Sequence, residues 1–175
     1  EFMCANAMKE LFYVIERLLA PDGCPWDREQ THDSLKRYLI EECYEVIEAI
    51  KEADMGKLKE ELGDLLFQIV FHCALANREG QFDFVGVVEG INKKMINRHP
   101  HVFGNMDLKT SDEVMHKWEG FKQREGKQYI LEGIPVMLPA LMRAMKMQEK
   151  AAQVGFDWPV IDGAIEKFKR SEERR

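Results

Sequence analysis

The 175-residue sequence predicts an all-α fold, organised as an antiparallel helical bundle. Apolar residues recur every three or four positions in roughly five to seven segments, which is the spacing of one helix face. No segment alternates polar and apolar residues with the period of two that indicates a strand. The connections after the second and third predicted helices are short, so these helices are expected to be antiparallel neighbours.

The predicted helices have ends that the sequence marks. Pro21 and Gly23 follow the first helix, Thr31 is placed to cap the second, and Asp83 is placed to cap the fourth. A tight turn over Asp54–Gly56 separates the second helix from the third. The predicted helical ranges are 11–19, 31–53, 57–78, 83–97, 112–122, 140–152 and 161–168.

Two loops carry rings that suit either packing or ligand contact. The loop at 23–27 contains Trp26, which we expect to plug the core, with stacking on a flat ligand as the alternative. The segment 98–104 contains two histidines separated by Pro100, which favours an extended backbone before it. With no third soft ligand nearby, we interpret this segment as a structural or substrate-contacting turn rather than a zinc site.

The second and third helices each carry a carboxylate pair three residues apart, Glu42 with Glu45 and Glu61 with Asp64. That spacing places both acids of a pair on one helix face. A rotation of 100° per residue puts Glu42 inside an apolar stripe, Glu45 at its edge, and Glu61 at the border of a second stripe. The stripes consist of Leu35, Leu39, Val46 and Ile50 on the second helix, and of Leu58, Leu62, Leu65 and Ile69 on the third.

Packing these two faces together would converge four carboxylates, and neither stripe contains a lysine or arginine to neutralise them. Because burying a bare carboxylate is costly, the pattern predicts a site for a hard divalent cation, Mg²⁺, Mn²⁺ or Ca²⁺, between the two central helices. The alternative is a solvated acidic face. Gly63, between Glu61 and Asp64, indicates either close approach of a backbone or ligand or a simple packing accommodation.

The fourth helix carries a polar line of Asn92, Lys94 and Arg98. Lys94 and Arg98 are four residues apart and share a face. Two cations on one face suit a phosphate chain, and they equally suit an ordinary solvated surface.

Length and composition exclude several classes of protein. The length suits one domain, or one domain and a fragment. The net charge of -6 argues against a general nucleic-acid surface, and no apolar run is long enough to span a membrane. The N-terminus lacks the pattern of a secretory signal. Four scattered cysteines without a CxxC motif favour free thiols in a reducing cytoplasm.

The chain resembles the MazG-type nucleoside triphosphate pyrophosphohydrolases, among the all-α NTP pyrophosphatases, from about Leu11 to Pro159. The acidic pairs are shared across that superfamily, whereas the histidine–proline and GFDW motifs are more specific to MazG. The matching motifs are Gly23–Asp27, Glu41–Glu45, Glu61–Asp64, Arg98–Gly104 and Val154–Trp158.

The resemblance implies hydrolysis of nucleoside triphosphates to the monophosphate and pyrophosphate, with Mg²⁺ as cofactor and Mn²⁺ able to replace it. It implies that Glu41 is an outer-sphere partner of the metal or the base that activates water. The metal ligands it implies are Glu42, Glu45, Glu61 and Asp64. The phosphate-contacting residues it implies are Lys57, Asn92, Lys94 and Arg98. Trp26 is a candidate for stacking on the base.

The resemblance also sets expectations for organisation. Many family members carry two such domains in tandem, so we expect an N-terminal extension at 1–10, a MazG-like domain at 11–159, and the start of a linker or second domain at 160–175. Helical bundles often bury their remaining apolar faces by self-association, so we expect a homodimer or a higher homo-oligomer. The alternative function is a catalytically idle helical domain of a tandem MazG protein that serves in dimerisation or nucleotide binding.

Overall fold

The computed structural model describes residues 2–123, 129, 131–156, 158 and 160–173. Every regular element in these ranges is a helix, which confirms the all-α prediction. Pro159 and Arg175, the predicted ends of the domain and of the tail, lie outside the described residues. The helices are α1 Phe2–Leu19, α2 Pro25–Arg28, α3 Lys36–Glu52, α4 Met55–Arg78, α5 Phe84–Arg98, α6 Pro100–Phe103, α7 Ser111–Gln123, α8 Ala140–Ala152 and α9 Ile161–Glu172.

The chain divides into two compact units, Glu1–Lys93 and Lys94–Arg175, and each is described by itself. In the first unit, α3 packs along α4, and α1 packs against α4 and α2. Phe12 on α1 meets Phe84 edge-to-face, with ring centroids 5.0 Å apart. These contacts enclose one apolar core, whose buried residues are Ile15, Leu19, Leu35, Val70, Phe71 and Leu75.

The reversal between α3 and α4 takes only two residues. Ala53 adopts a left-handed conformation with φ of 55° and ends α3. Asp54 then caps α4, and its Oδ1 accepts from the backbone nitrogens of Gly56 at 2.9 Å and Lys57 at 3.0 Å. Because the link is so short, the two helices run antiparallel side by side, as predicted. The turn predicted over 54–56 begins one residue late and ends two residues late, since Ala53 already lies in the link and Met55 already belongs to α4.

Several other boundaries differ from the prediction. Helix α3 begins at Lys36, so Thr31 is not its N-cap. Thr31 instead exchanges hydrogen bonds with Ser34 in the turn before the helix, because its hydroxyl accepts from the Ser34 nitrogen at 3.1 Å. The predicted loop at 23–27 contains α2, in which Pro25 occupies the first helical turn. Asp83 caps α5 as predicted, since its Oδ1 accepts from the nitrogen of Gly86 at 2.8 Å.

The two predicted apolar stripes are buried only in part. Leu35 lies in the core, and half-buried positions are held by Leu39, Val46, Leu58 and Leu65, whereas three other members are exposed. On α3, Ile50 is 58% exposed, and Ala49 is buried in its place. On α4, Leu62 and Ile69 are 49% and 40% exposed, whereas Glu61 is buried. The polar residues of α4 therefore occupy more of its buried face than the stripe prediction allowed.

The second unit contains the histidine–proline segment. Pro100–Phe103 forms one helical turn, and His99 before it has φ of -120° and ψ of 56°, so the extended backbone predicted around Pro100 is wrong. The ring of His99 meets Trp118 edge-to-face at 5.4 Å, and its Nδ1 lies 2.6 Å from the carbonyl oxygen of Met95. In the described part of the chain, no helix has the length and apolar character to cross a bilayer.

Candidate functional site

The short link between α3 and α4 brings three acids together. Carboxylate oxygens of Glu42, Glu45 and Glu61 all lie within 4.8 Å of one another. Glu61 is 9% exposed, and the other two are partly buried. Among the described residues, this is the only group of three acidic, histidine or cysteine side chains that converges closely enough to hold a metal ion.

Asp64 is the fourth predicted ligand, and it lies outside this close group. Its side chain is exposed, and its charge helps to raise the pKa of Glu42. Asp64 is thus near the three acids, although its carboxylate does not belong to the group whose oxygens all lie within 4.8 Å of one another. Glu41, the predicted base, directly precedes Glu42 on α3, and its side chain is exposed.

Burial and mutual repulsion raise the pKa of two of the acids. For Glu42 the largest cause is burial, followed by the charges of Asp64 and Glu45. For Glu61 the largest cause is again burial, followed by the charges of Glu45 and Glu60. Glu60 was not among the predicted site residues. Like charges held this closely favour protonated carboxyl groups when no cation is bound.

Lys57 lies at the end of this acidic face, in the first turn of α4. Its Nζ is 3.1 Å from Glu48 Oε2 and 3.3 Å from Glu52 Oε2, and its side chain is 30% exposed. Hydrogen bonds to these two carboxylates raise the pKa of Lys57. Glu48 and Glu52 were missed in the sequence prediction. Their i, i+4 spacing on the last turns of α3, directly before a two-residue link, was the signal that could have identified them.

Trp26 is not a core residue, so the expectation that it plugs the core is wrong. Its side chain is 50% exposed, and its ring meets Tyr38 edge-to-face with centroids 5.7 Å apart. The guanidinium of Arg37 lies over the other aromatic ring, 4.5 Å from the centroid of Tyr38. An exposed indole on an aromatic support leaves a ring face that a ligand can reach.

The predicted phosphate-contacting residues of α5 fall on both sides of the division between the units. Asn92 is exposed in the first unit. Lys94 and Arg98 belong to the second unit, where the Arg98 guanidinium lies 5.9 Å from the ring centre of Trp118. Their meeting with the acidic group stays a prediction.

The acidic group suits a hard divalent cation on chemical grounds. All its donors are oxygens, which Mg²⁺, Mn²⁺ and Ca²⁺ prefer. The raised pKa values of Glu42 and Glu61 show that the close approach of these carboxylates is unfavourable when they are charged, and a cation would relieve that repulsion. The residues present therefore fit such an ion.

Comparison with known proteins gives the same family as the motifs. Residues 30–103 match the model of the MazG nucleotide pyrophosphohydrolase domain, a range that contains all the acids of the site. A solved structure, a mazG-related protein from Thermotoga maritima, aligns with a TM-score of 0.56 and 30% identity over 66% of this chain and 98% of its own. The chain belongs to the MazG family.

Two relatives match along most of this chain. The nucleoside triphosphate pyrophosphohydrolase/pyrophosphatase MazG of Thermotoga maritima is 47% identical over 164 residues, which are 92% of this chain and 63% of the relative. The nucleoside triphosphate pyrophosphohydrolase of Escherichia coli K12 is 45% identical over 172 residues, which are 93% of this chain and 65% of the relative. The chain thus spans somewhat less than two thirds of the length of these relatives.

Proposed function

We propose that this protein hydrolyses nucleoside triphosphates, ribose or deoxyribose, to the monophosphate and pyrophosphate with the help of Mg²⁺. The observation that carries this proposal is the convergence of Glu42, Glu45 and Glu61 within 4.8 Å. A partly buried group of converging carboxylates suits a substrate that arrives as a metal–polyphosphate complex. Relatives that carry the name nucleoside triphosphate pyrophosphohydrolase support the same reaction.

In this proposal, Glu42, Glu45, Glu61 and Asp64 hold the Mg²⁺, and Mn²⁺ is able to replace it. The ion, when bound, neutralises charge on the phosphate oxygens and lowers the pKa of bound water. Glu41 orients the attacking water or accepts its proton, a role that its exposed position at the edge of the group permits. Attack at the α-phosphorus leaves pyrophosphate as the second product.

Basic and polar side chains would hold the phosphate chain. Lys57 already lies beside the acids, and phosphate oxygens would replace the carboxylates of Glu48 and Glu52 as its partners. Asn92, Lys94 and Arg98 would complete the phosphate contacts from α5. Trp26 offers an exposed ring on which the base stacks.

Product analysis tests this function directly. The purified chain is incubated with a panel of NTPs and dNTPs, with Mg²⁺ or with EDTA, and the products are separated. Monophosphate and pyrophosphate in equal amounts, formed only with metal, are the expected result. Diphosphate and orthophosphate would show attack at the γ-phosphorus and contradict the proposal.

The second candidate is an idle domain that binds nucleotide or dimerises without turnover. Exposed apolar residues favour self-association: Ile40, Tyr44 and Ile47 form one outer stripe of α3, and Leu62, Leu66 and Ile69 line the neighbouring side of α4. We propose a homodimer through these residues, which light scattering on the eluting peak would test. Nucleotide binding without pyrophosphate release would favour this candidate over the enzyme.

We propose, finally, that residues 11–159 form the pyrophosphohydrolase domain and that 160–175 begin a linker or a second domain. The length of the relatives, of which this chain covers 63% and 65%, is consistent with that division. Free cysteines at Cys4, Cys24, Cys43 and Cys73 suit a reducing compartment, and we propose the cytoplasm.

A further inference from the structure

Two histidines face one another on the first unit, away from the acidic group. Nδ1 of His32, in the connection between α2 and α3, lies 2.8 Å from Nδ1 of His72 on α4. The ring planes differ by 3°, and the centroids are 5.1 Å apart. That separation equals the nitrogen–nitrogen distance plus the two ring radii, so both nitrogens lie on the line between the ring centres. The rings therefore meet head-on through one Nδ1–H···Nδ1 hydrogen bond.

This head-on geometry excludes a chelated metal. Two imidazoles that share one tetrahedral ion direct their lone pairs at a point beside the line between the nitrogens, at about 2.0 Å from each. Here the Nδ1 atoms of the two rings point at each other along one line, and the distance between them is that of a hydrogen bond. The pair is built to share a proton.

The connection that carries His32 is cross-linked within itself. Ser34 Oγ donates to Gln30 Oε1 at 2.7 Å, and Gln30 Nε2 donates to the carbonyl of Trp26 at 2.8 Å. Thr31 and Ser34 exchange hydrogen bonds of 3.0 and 3.1 Å. These hydrogen bonds couple residues 26–34 to one another. In the described part of the chain, the side-chain hydrogen bond that joins this segment to α4 is the one between His32 and His72.

Two buried polar atoms bear on which histidine donates. Within the described residues, Nε2 of His72 and Oε1 of Gln68 lie one helical turn apart on α4, and neither has a hydrogen-bond partner. We infer that His72 carries its proton on Nε2, because a buried acceptor is better placed beside a donor than beside a second lone pair. A neutral His72 that carries its proton on Nε2 has a lone pair on Nδ1, and His32 must then be the Nδ1–H donor.

We propose that His32 and His72 form a proton-dependent latch that holds onto α4 the connection between α2 and α3, and through it the Trp26-bearing α2. The latch stays closed while His72 Nδ1 keeps its lone pair, because that lone pair accepts the hydrogen bond from His32. A second proton on His72, at Nδ1, removes the acceptor. The latch then opens.

Few other charges face the pair. From 65 to 77, α4 carries no charged side chain besides His72, and its one thiol there is Cys73. In the connection and the start of α3, Asp33 is bound to Lys36, and Arg37 is bound to the hydroxyl of Tyr38. Glu29 is exposed.

The pH dependence follows from these surroundings. Burial, and after it the charge of His32, lower the pKa of His72 from its usual 6.5. A histidine whose pKa is lowered by folding binds its proton more readily in the unfolded chain, so the free energy of unfolding falls as pH drops below about 6.5 toward the lowered value. The latch is therefore closed at neutral pH and opens on acidification.

Two measurements test the latch without any activity assay. Long-range ¹H–¹⁵N spectra of the wild-type protein at pH 8 give the tautomers, and the expected result is Nε2–H on His72 and Nδ1–H on His32. The opposite tautomer on His72 would overturn the proposal. This measurement needs no variant, so it stands even if a substitution impairs folding.

Hydrogen exchange then tests the opening. Between pH 8 and pH 5, after correction for intrinsic rates, exchange at residues 29–35 is expected to rise about fivefold in the wild type, the change that corresponds to one net hydrogen bond. The matched variant His32→Leu/His72→Leu, which replaces both partners, is expected to show no such rise. An equal rise in both proteins would overturn the latch, as would its absence in the wild type.

Discussion

Replacing Glu42 by glutamine should make the metal-free protein more stable while it removes one of the proposed metal ligands. Glutamine keeps the shape of the side chain and removes its charge. Glu42 is partly buried, and burial together with the charges of Asp64 and Glu45 raises its pKa. The wild-type carboxylate at pH 7.5 is therefore held among like charges, and the variant relieves that repulsion.

The distance between the carboxylates determines how much stability the Glu42→Gln variant should gain. Unit charges 4.8 Å apart, the largest separation within the group, repel by about 1 kcal/mol at the dielectric constant of water and by about 3.5 kcal/mol at a dielectric constant near 20. Because Glu42 retains contact with solvent, its repulsion from Glu45 corresponds to the value at the dielectric constant of water, about 1 kcal/mol. About 1 kcal/mol raises the melting temperature of a chain of this size by roughly 2–4 °C.

The assay is thermal unfolding at pH 7.5 in EDTA and in excess Mg²⁺, with Glu10→Gln as the control. Glu10 is an exposed glutamate on α1, away from the acidic group. In EDTA the Glu42→Gln variant should melt above the wild type, and in Mg²⁺ the wild type should gain stability that the variant does not. A variant that melts below the wild type in EDTA would refute the reasoning, because Glu42 would then have a stabilising partner in the metal-free fold.

Three further predictions concern the same helices. Because the pKa values of Glu42 and Glu61 are raised, the folded state holds their protons more tightly than the unfolded chain. The metal-free protein should therefore lose stability as pH rises from about 4.5 toward the raised pKa values, which melting curves would measure. The affinity for Mn²⁺ should rise over the same pH range, which titration calorimetry would measure. A melting temperature that rises with pH in this range would contradict the prediction. Lys57→Met should lower turnover by about 100-fold with little change in melting temperature, whereas the exposed Lys59→Met should leave turnover unchanged; equal effects would remove Lys57 from the site. A Cβ at Gly63 would meet nothing within 4 Å, so Gly63→Ala should stabilise the protein by about 1 kcal/mol in denaturant titrations, and a loss would indicate that another chain or ligand approaches there.

The fold class and the acidic pairs were predictable from local sequence patterns. Helical spacing identified each of the seven longer helices, and the short link at Ala53 and Asp54 predicted the antiparallel pair that carries the site. The convergence of Glu42, Glu45 and Glu61 followed from that pairing and from the position of Glu42 in an apolar stripe. These features depend on neighbouring residues in one or two helices, which is the information that a sequence pattern contains.

The rotation of each helix was not predictable in the same way. Leu62 and Ile69 score as core residues on hydrophobicity, yet they are exposed, and Glu61 is buried beside α3. Which face turns inward depends on every helix that packs against α4, including α1. The partners of Lys57 were missed for a related reason, because Glu48 and Glu52 reach it across the link rather than along one helix.

The wrongly predicted burial of α4 residues has a common cause, which is the polar character of the face that turns inward. Glu61, Gln68 and His72 follow one another along the side that faces α3 and the connection before it, and all three are polar. A face chosen for stability alone would place Leu62 and Ile69 there, as the stripe prediction assumed. The fold instead buries Glu61, half-buries His72, and leaves the leucine and isoleucine exposed. The proposed homodimer would cover Leu62 and Ile69, and the polar residues of the opposite face would serve the proposed cation site at one end and the proposed latch at the other.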